Sequence, residues 1–378
     1  MKILNLNHSR FEEDERWCKS AVAITDVDPS WRSRSLPRRV IRVLRLARHY
    51  DVVLFHHDIR FAALFALLSM FRSSRPVMVY QGFEFDISRA RLGKARVSHF
   101  VRDRISLAMH GFVLKVIDLA VVHTTAEVQL YSEQFQVPPA KLSFIPYFHY
   151  GTDPEAVRTN EAGNEVRVLA IGRHRDFDCF IAANRSSSWK NVIVAGDSDR
   201  KALPSTLPAN FLASFEVSRE EYRDQISRAT VVVLPFYEHR WQRALGHIAM
   251  FEAMLKKKPI VAARSFQLRD YATDDEVLYY RAGDAADLRQ QLERLLTDKS
   301  LRDRLITNAY ERLTREFTRE QYISRLLEVC HIACDEKSAD RQPVRLRETE
   351  SLASAKACET AGVAASHSLS PTSCDFKA

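Results

Sequence analysis

Residues 231–263 read VVVLPFYEHRWQRALGHIAMFEAMLKKKPIVAA and predict a strand, a loop, a helix and a second strand. A run of β-branched residues ends at Pro235-Phe236, and a polar, basic loop separates it from the helix. In a parallel sheet, ligands bind at the carboxyl ends of strands, against helix N-termini whose free N–H groups suit a phosphate. We therefore expect an anion site near Gly246 and His247. Glu252, nearly two turns into the helix, is expected to face a ribose hydroxyl.

Strands and helices alternate through both halves of the 378 residues, which is typical of parallel α/β sheets. We expect a first domain at residues 1–150 and a second at residues 165–316. Residues 151–164 (GTDPEAVRTNEAGN) are polar, contain Gly, Pro and Asn, and are interpreted as a linker. A closing helix is expected at 317–334. Residues 335–378 are polar and poor in large apolar side chains, and we expect a disordered tail there.

Composition indicates a globular protein without a membrane span. Hydrophobic residues make up 46% of the chain, enough for two cores. The longest apolar run, Phe61–Phe71, has eleven residues, whereas a spanning helix needs about twenty. Met1–Asn7 is too short for a secretory signal and is expected to be a buried strand. The six cysteines are scattered and contain no CxxC pair, so they lack the spacing of a zinc site, and free thiols fit a reducing cytosol. They are Cys18, Cys179, Cys330, Cys334, Cys358 and Cys374.

The net charge of +8 is concentrated in two segments of the first half. Seven arginines lie within 32–48, where the pattern places Arg38, Arg42 and Arg45 on one helix face. Six further Lys or Arg residues lie within 89–104. Two interpretations are open, namely an anionic membrane surface as partner or a solvated helix face. Nucleic acid is disfavoured because the basic segments lack interleaved aromatics and no recognition motif occurs.

The segment 231–263 resembles the donor-binding signature of the group 1 (family 4) retaining glycosyltransferases of the GT-B type. The matching residues are Phe236, Gly246, Glu252-Ala253-Met254 and Lys258-Pro259-Ile260. Gly172-Arg173, after the strand Val166–Gly172, is similar to the family's Gly-Arg pair, and coverage is about residues 50–330. The resemblance implies two Rossmann-like domains facing across a cleft, with the C-terminal helix returning toward the first domain.

The resemblance also implies a donor-binding set. Arg173 is expected to face the donor diphosphate, and Arg175 to replace the charge of the family's Lys, which is Asp178 here. The donor-binding residues implied or expected are Arg173, Arg175, Arg240, Arg243, Gly246, His247 and Glu252. At the position of the family's first glutamate, which is the usual sugar contact, this chain departs from the family and has Ala244. Asp176 and Asp178 form a D-x-D pair, for which we expect helix capping rather than metal binding.

In the first half, the segment after the strand Val77–Tyr80 supplies the candidate catalytic residues. Gln81 occupies a position where relatives often have a histidine that touches the donor sugar. Glu84 and Asp86 are candidates for orienting an acceptor hydroxyl, and one would be the base if the enzyme were inverting. His56-His57-Asp58 is a further candidate for the cleft, whereas His123 is expected to be a hydrogen-bonded core histidine.

We expect a hexosyltransferase that uses a UDP- or GDP-sugar and a saccharide or lipid-linked acceptor. The expected reaction is retaining and needs neither metal nor cofactor. The expected location is the cytoplasm, peripheral at the inner face of the membrane. Three alternatives remain open: a non-catalytic GT-B binding protein, a membrane-surface adaptor, and a nucleotide-sugar epimerase or hydrolase. The departures at Gln81, Asp178 and Ala244 are the reason for keeping the non-catalytic alternative.

Overall fold

The fold is taken from a computed structural model of the chain. The structure describes residues 1–6, 11, 14–28, 30–31, 34–56, 58–72, 75–85, 97–149, 165–237, 246–266 and 268–341. The predicted linker, 151–164, lies outside the described residues, so its assignment stays a prediction. Residues 1–333, which include both sheets, form one compact unit.

The first sheet has six parallel strands in the order β2-β1-β3-β4-β5-β6. They are β1 (Ile3–Asn5), β2 (Ala21–Ala23), β3 (Val52–His56), β4 (Val77–Gln81), β5 (Leu119–Val122) and β6 (Leu142–Phe144). The sequence did not predict β2, because three residues with small side chains carry no periodicity. The associated helices are α1 (Glu15–Ser20), α2 (Ile24–Val27), α3 (Leu36–Leu46), α4 (Ile59–Ser69), α5 (Val97–Val116) and α6 (Thr125–Phe135).

The second sheet also has six parallel strands, in the order β12-β11-β10-β7-β8-β9. They are β7 (Arg167–Ile171), β8 (Lys190–Ala195), β9 (Phe211–Phe215), β10 (Val231–Leu234), β11 (Ile260–Ala263) and β12 (Leu278–Tyr280). The associated helices are α7 (Phe177–Asn184), α8 (Arg219–Arg228), α9 (His247–Leu255), α10 (Ala285–Thr297) and α11 (Lys299–Glu316). The predicted strand–helix–strand unit of 231–263 is therefore β10-α9-β11.

The strands form because their apolar runs are buried on both faces. In β10 every residue of Val231–Leu234 is fully buried, and β3 and β4 are similarly covered by helices. Parallel sheets in α/β proteins are covered in this way, which is why their strands are continuous apolar runs rather than alternating ones. Each sheet has its own hydrophobic core, as two Rossmann-like domains require. The predicted α/β, two-domain architecture is confirmed.

A closing helix, α12 (Arg319–Arg341), follows α11. Its first turns return to the first domain, where the Tyr322 hydroxyl accepts a hydrogen bond from Gln81 Nε2 at 2.9 Å. The prediction of a disordered tail from residue 335 is wrong for residues 335–341, which are helical. The polar side chains of this last stretch suit a helix with little buried surface, and composition alone did not distinguish that from disorder. Residues 342–378 lie outside the described part of the chain.

Candidate functional site

Arg175 lies beneath the loop that follows β7. Gly172 adopts a φ of +123°, and a β-carbon built on it would lie 2.6 Å from Arg175 Nη2. Glycine is therefore required here both for its backbone conformation and for the close approach of the guanidinium. The sequence order places Arg173 nearer the strand end, but the fold buries Arg175 instead.

The Arg175 guanidinium is held by weak contacts. The guanidinium carbon, Cζ, lies 4.0 Å from the centre of the Phe236 ring, and Nε lies 3.4 Å from the Ile171 carbonyl oxygen. Nη1 is buried and has no hydrogen-bond partner among the described residues. Burial lowers the pKa of Arg175 to about 10, so it remains a cation at neutral pH. A buried cation with an unused donor is a site for an anion.

Helix α9 also begins against Phe236. Its N-cap is Gly246, which has a φ of +90°, and no described side chain caps the helix. A β-carbon on Gly246 would lie 2.1 Å from Phe236 Cζ, so the glycine allows the helix to start against the ring. The first N–H groups of α9 therefore lie near the Arg175 cation, and both favour negative charge.

His247, the first residue of α9, is neutral. Burial, followed by the nearby His123 and the Arg175 cation, lowers its pKa to about 3. Its ring stacks on Tyr147, with centroids 3.7 Å apart and planes within 8°. Nδ1 is buried without a hydrogen-bond partner in the described part of the chain. A neutral imidazole in this position offers a hydrogen bond to an uncharged group such as a sugar hydroxyl.

Glu252 lies on the same helix and is oriented by Arg223 from α8. Arg223 Nε and Nη2 donate to Glu252 Oε1 at 3.0 and 2.9 Å. Oε2 is buried and has no partner among the described residues. One oxygen is thus fixed by the arginine while the other remains an acceptor, the arrangement needed to bind a ribose hydroxyl.

Arg173 has a different environment. Its side chain is two-thirds exposed and pairs with Glu216 at 2.7 Å. It crosses Gly196, where a β-carbon would lie 2.8 Å from Arg173 Cγ. The structure therefore places Arg173 above the end of β8, in contact with solvent.

The other predicted donor and catalytic positions divide into two groups. Arg240, Arg243, Ala244 and Asp86 lie outside the described residues. Asp176 caps α7, accepting from the Cys179 N–H at 3.0 Å, and Asp178 is in the first turn of that helix. Within the described ranges, no group of three or more His, Cys, Asp or Glu side chains is placed to hold a metal ion.

The first domain contributes an aromatic and amide cluster. Tyr147 is stacked between His247 and His123, whose centroid lies 3.7 Å from that of Tyr147. The Tyr147 hydroxyl donates to Glu84 Oε1 in a short hydrogen bond, and burial followed by Glu84 raises the pKa of this hydroxyl. Gln81 is buried, and its Oε1 has no partner among the residues that the structure describes. Residues from both domains therefore lie within one stacked cluster.

His123 Nδ1 lies 2.9 Å from the Ile145 carbonyl oxygen, so it carries the proton and donates to it. A β-carbon on Gly82 would lie 3.0 Å from His123 Nε2, so that nitrogen faces the loop after β4.

A separate cavity of about 430 Å³ is lined by Asp14, Glu15, Arg16, Arg319 and Glu320, none of them a predicted site residue.

Sequence reasoning missed Tyr147, Tyr222 and Arg223. Burial raises the pKa of the Tyr222 hydroxyl. The Arg175 cation lowers this pKa and the Glu252 carboxylate raises it, so Tyr222 lies close to both charges. These residues precede or follow the recognisable motif, and their types alone carry no signal.

Comparison with known proteins supports the resemblance. Residues 171–312 match the family model described as glycosyl transferases group 1. A search of curated proteins finds no match.

Solved structures share the fold over most of the chain. Sucrose-phosphate synthase from Thermosynechococcus elongatus is 18% identical with a TM-score of 0.59, covering 79% of this chain and 78% of that one. Anabaena Alr3699/HepE, in complex with UDP, is 16% identical with a TM-score of 0.61, covering 87% of this chain and 99% of that one. S. aureus TarM is 15% identical with a TM-score of 0.54, and the match covers 77% of this chain and 58% of that one.

The fold and these matches define the class: this is a GT-B-type protein with two Rossmann-like domains. Its second domain matches the group 1 glycosyl transferase model, which confirms the predicted resemblance for residues 171–312. The part of this chain that matches the family model, residues 171–312, contains Arg173, Arg175, Gly246, His247 and Glu252.

Proposed function

We propose that the chain transfers a hexose from a UDP- or GDP-sugar to a saccharide or lipid-linked acceptor, with retention and without a metal. The observation that carries the proposal is the buried Arg175 cation beside the start of α9, where no described residue pairs with Nη1 or caps the helix with its side chain. Alr3699/HepE has been crystallised with UDP and with UDP-glucose, which supports a uridine diphosphate sugar as donor.

The chemistry of the proposal follows from charge. Negative charge develops on the leaving diphosphate as the glycosidic bond breaks, and preorganised cations and N–H groups stabilise that charge. Arg175 and the first N–H groups of α9 would supply this stabilisation without a metal. Arg173 and the arginines of the loop, Arg240 and Arg243, are proposed as further diphosphate contacts. Glu252 Oε2 would accept from a ribose hydroxyl.

On the acceptor side, we assign positioning functions to Gln81, Glu84 and Asp86. Glu84 already accepts a hydrogen bond from Tyr147, which favours orientation of a hydroxyl over removal of its proton. That environment supports a retaining reaction, in which the enzyme needs no carboxylate base beside the acceptor. The neutral His247 would bind a donor sugar hydroxyl through Nδ1.

The first test is nucleotide binding. UDP, GDP, ADP and CMP are compared by thermal shift, because a ligand that binds only the folded state raises its apparent stability. Glu252→Ala should weaken binding of the preferred diphosphate about tenfold to hundredfold, since a hydrogen bond to a charged group contributes about 1.5–3 kcal/mol. Glu293→Ala, on the exposed face of α10, is the control. No shift with any nucleotide, or equal affinities for the two variants, would contradict the proposal.

The second test concerns the metal. Transfer of radiolabelled sugar is measured after treatment with EDTA, and we expect the rate to be unchanged. Complete loss of activity that Mg²⁺ or Mn²⁺ restores would overturn metal independence and direct attention to Asp176 and Asp178.

We also propose that the protein works in the cytoplasm, peripherally at the inner face of the membrane. No described helix is long and apolar enough to cross a bilayer. The basic segments of the first half, which is the acceptor side in the proposed reaction, support contact with anionic lipid.

A further inference from the structure

The C-terminal end of α4 exposes a group of large apolar side chains. Phe71 has 83% of its surface exposed and Met70 has 59%, and Leu67 and Leu68 are also exposed. Scattered apolar side chains on a surface need no explanation, but four within five residues at the end of a helix indicate an interaction site. We call Leu67, Leu68, Met70 and Phe71 the α4 tip.

Three arginines lie next to the α4 tip. Arg72 Nη1 donates to the Leu44 carbonyl oxygen at 2.6 Å, which brings its guanidinium to the last turn of α3. That turn carries the exposed Arg45, and Arg48 Nε donates to the Arg45 carbonyl oxygen at 3.0 Å. The apolar tip and a cluster of three positive charges therefore share one end of the first domain.

The charges of this cluster are not neutralised by described carboxylates. Nearby arginines are paired: Arg39 and Arg42 of α3 with Asp58 and Asp28, and Arg75, just before β4, with Asp118. No such ion pair is found for Arg45, Arg48 or Arg72 within the described ranges. Arg42, predicted from the sequence as a membrane contact, is thus directed to Asp28, whereas Arg45 remains available.

We propose that the α4 tip, together with Arg45, Arg48 and Arg72, docks on an anionic lipid bilayer. Phe71 and Met70 enter the boundary between headgroups and acyl chains, and the three guanidinium groups bind lipid phosphates. A bilayer fits this surface better than a protein groove does, because it accepts protruding apolar side chains and surrounds them with negative charge. The inference goes beyond the proposed function, because the α4 tip precedes the start of β4, whereas Gln81 and Glu84 lie at the other end of that strand.

The surface differs from the one that the sequence predicts. Arg38, at the N-terminal end of α3, is exposed but belongs to the opposite end of the helix. Most of the basic segment 89–104 lies outside the described residues; of its described members, Arg102 is near Asp103. The apolar part of the surface, residues 67–71, was interpreted from the sequence only as the end of a buried helix.

The test is co-sedimentation of the full chain with vesicles of phosphatidylcholine, with or without phosphatidylglycerol. We expect binding to the anionic vesicles only, with loss of binding in about 0.5 M salt, because the Debye length is then a few ångströms. Phe71→Ser should reduce the partition coefficient about tenfold, as the burial of a phenylalanine side chain predicts. Leu212→Ser, an exposed apolar residue of the second sheet, is the matched control and should bind as the wild type does.

The charge contribution is measured separately. Arg45→Glu with Arg48→Glu should reduce partitioning at least tenfold, whereas Arg294→Glu with Arg304→Glu on the second domain should change it far less. UDP binding is measured for every variant, so that failure of the docking surface is distinguished from failure of the donor site.

Any of three results would overturn the inference. One is equal loss of binding in Phe71→Ser and Leu212→Ser, and another is no binding of the wild type to anionic vesicles. The third is a wild-type dimer in light scattering that Phe71→Ser converts to a monomer without any vesicle binding, which would assign the surface to a second copy of the chain.

Discussion

Among single residues, Arg175 has the environment least suited to its charge. Burial lowers its pKa well below the usual arginine range, to about 10, and at about 1.4 kcal/mol per pH unit this shift is an unfavourable interaction of about 3 kcal/mol. A desolvated cation–π contact contributes about 2 kcal/mol in the opposite direction, and the Phe236 ring provides one. The burial term is larger, so the arginine destabilises the protein without ligand.

We therefore predict that Arg175→Met raises the Tm of the protein without ligand by a few degrees. A methionine fills the same space against Phe236 and carries no charge to desolvate. The same change should weaken binding of a nucleoside diphosphate about tenfold to hundredfold, since a charged hydrogen-bond donor is lost. Calorimetry measures both quantities. Arg173→Met is the control for the Tm alone, because its side chain is mostly solvated and its removal should leave Tm within about a degree.

A lower Tm for Arg175→Met together with unchanged nucleotide affinity would show that the guanidinium is a structural group. A higher Tm with unchanged affinity would leave the burial argument intact but remove Arg175 from the donor site.

At the scale of elements, the start of α9 depends on Gly246. Its φ of +90° lies in a region that costs other residues about 1–2 kcal/mol, and its β-carbon would overlap the Phe236 ring. Overpacking in a dense core adds about 1–3 kcal/mol. The glycine is thus needed for the approach of the helix N-terminus to the ring that holds Arg175.

Gly246→Ala should lower the free energy of unfolding by about 2–5 kcal/mol, the sum of backbone strain and overlap. Gly283→Ala is a matched control, because Gly283 has a φ of +78° but no atom within 4 Å of its β-carbon position. The control should lose only the strain contribution, about 1 kcal/mol. Urea unfolding measures both variants, and equal losses would show that contact with Phe236 is unimportant.

The same helix start gives a pH dependence. The pKa of His247 is about 3 in the folded protein, against about 6.5 for an unperturbed histidine. Above pH 6.5, His247 is neutral in both the folded and the unfolded protein, and its full contribution to stability is present. As the pH falls below 6.5, only the unfolded chain binds the proton, and stability decreases by up to about 1.4 kcal/mol per pH unit.

His247→Phe keeps a flat ring against Tyr147 and cannot take up a proton. Between pH 6.5 and 4.5, we predict a shallower loss of unfolding free energy for this variant than for the wild type. Urea unfolding at several pH values measures the two slopes. Parallel curves would mean that His247 is solvated well enough to titrate normally.

At the scale of the whole molecule, the two domains are joined by hydrogen bonds as well as by the chain. The Tyr271 hydroxyl, from the second domain, donates to the His123 carbonyl oxygen at 2.6 Å and accepts from the Tyr147 N–H at 3.1 Å. Asp270 accepts from the N–H and the hydroxyl of Thr125 at the start of α6. The His149 N–H donates to the Phe317 carbonyl oxygen at 2.9 Å.

Tyr271→Phe should decrease the free energy of unfolding by about 1–3 kcal/mol, because it leaves a buried carbonyl and a buried N–H without their partner. Since these groups connect the domains, we also expect a single calorimetric transition to broaden or divide in two. Tyr279→Phe, whose hydroxyl bonds within its own domain to the Ala272 carbonyl oxygen, is the control. A comparable loss of stability with one sharp transition in both variants would contradict a coupling function for Tyr271.

The sequence by itself determined the fold class and the order of most elements. Continuous β-branched runs such as Val231–Val233 predict buried parallel strands, and Gly246 followed by the apolar helix predicts α9, because these signals are local. The resemblance to the group 1 family came from the same local segments. The short edge strand β2 carried no local signal and was missed. The individual site assignments and the domain boundaries remain predictions.

Only the tertiary structure decided which arginine is buried and which groups share the site. Arg173 and Arg175 are two residues apart and chemically identical, yet Phe236 covers one of them while Glu216 binds the other at the surface. Glu252 is oriented by Arg223, 29 residues away, and Gln81 bonds Tyr322 across 241 residues. Such contacts depend on how the sheets and helices pack, and packing brings together residues whose spacing in the chain carries no information about their meeting.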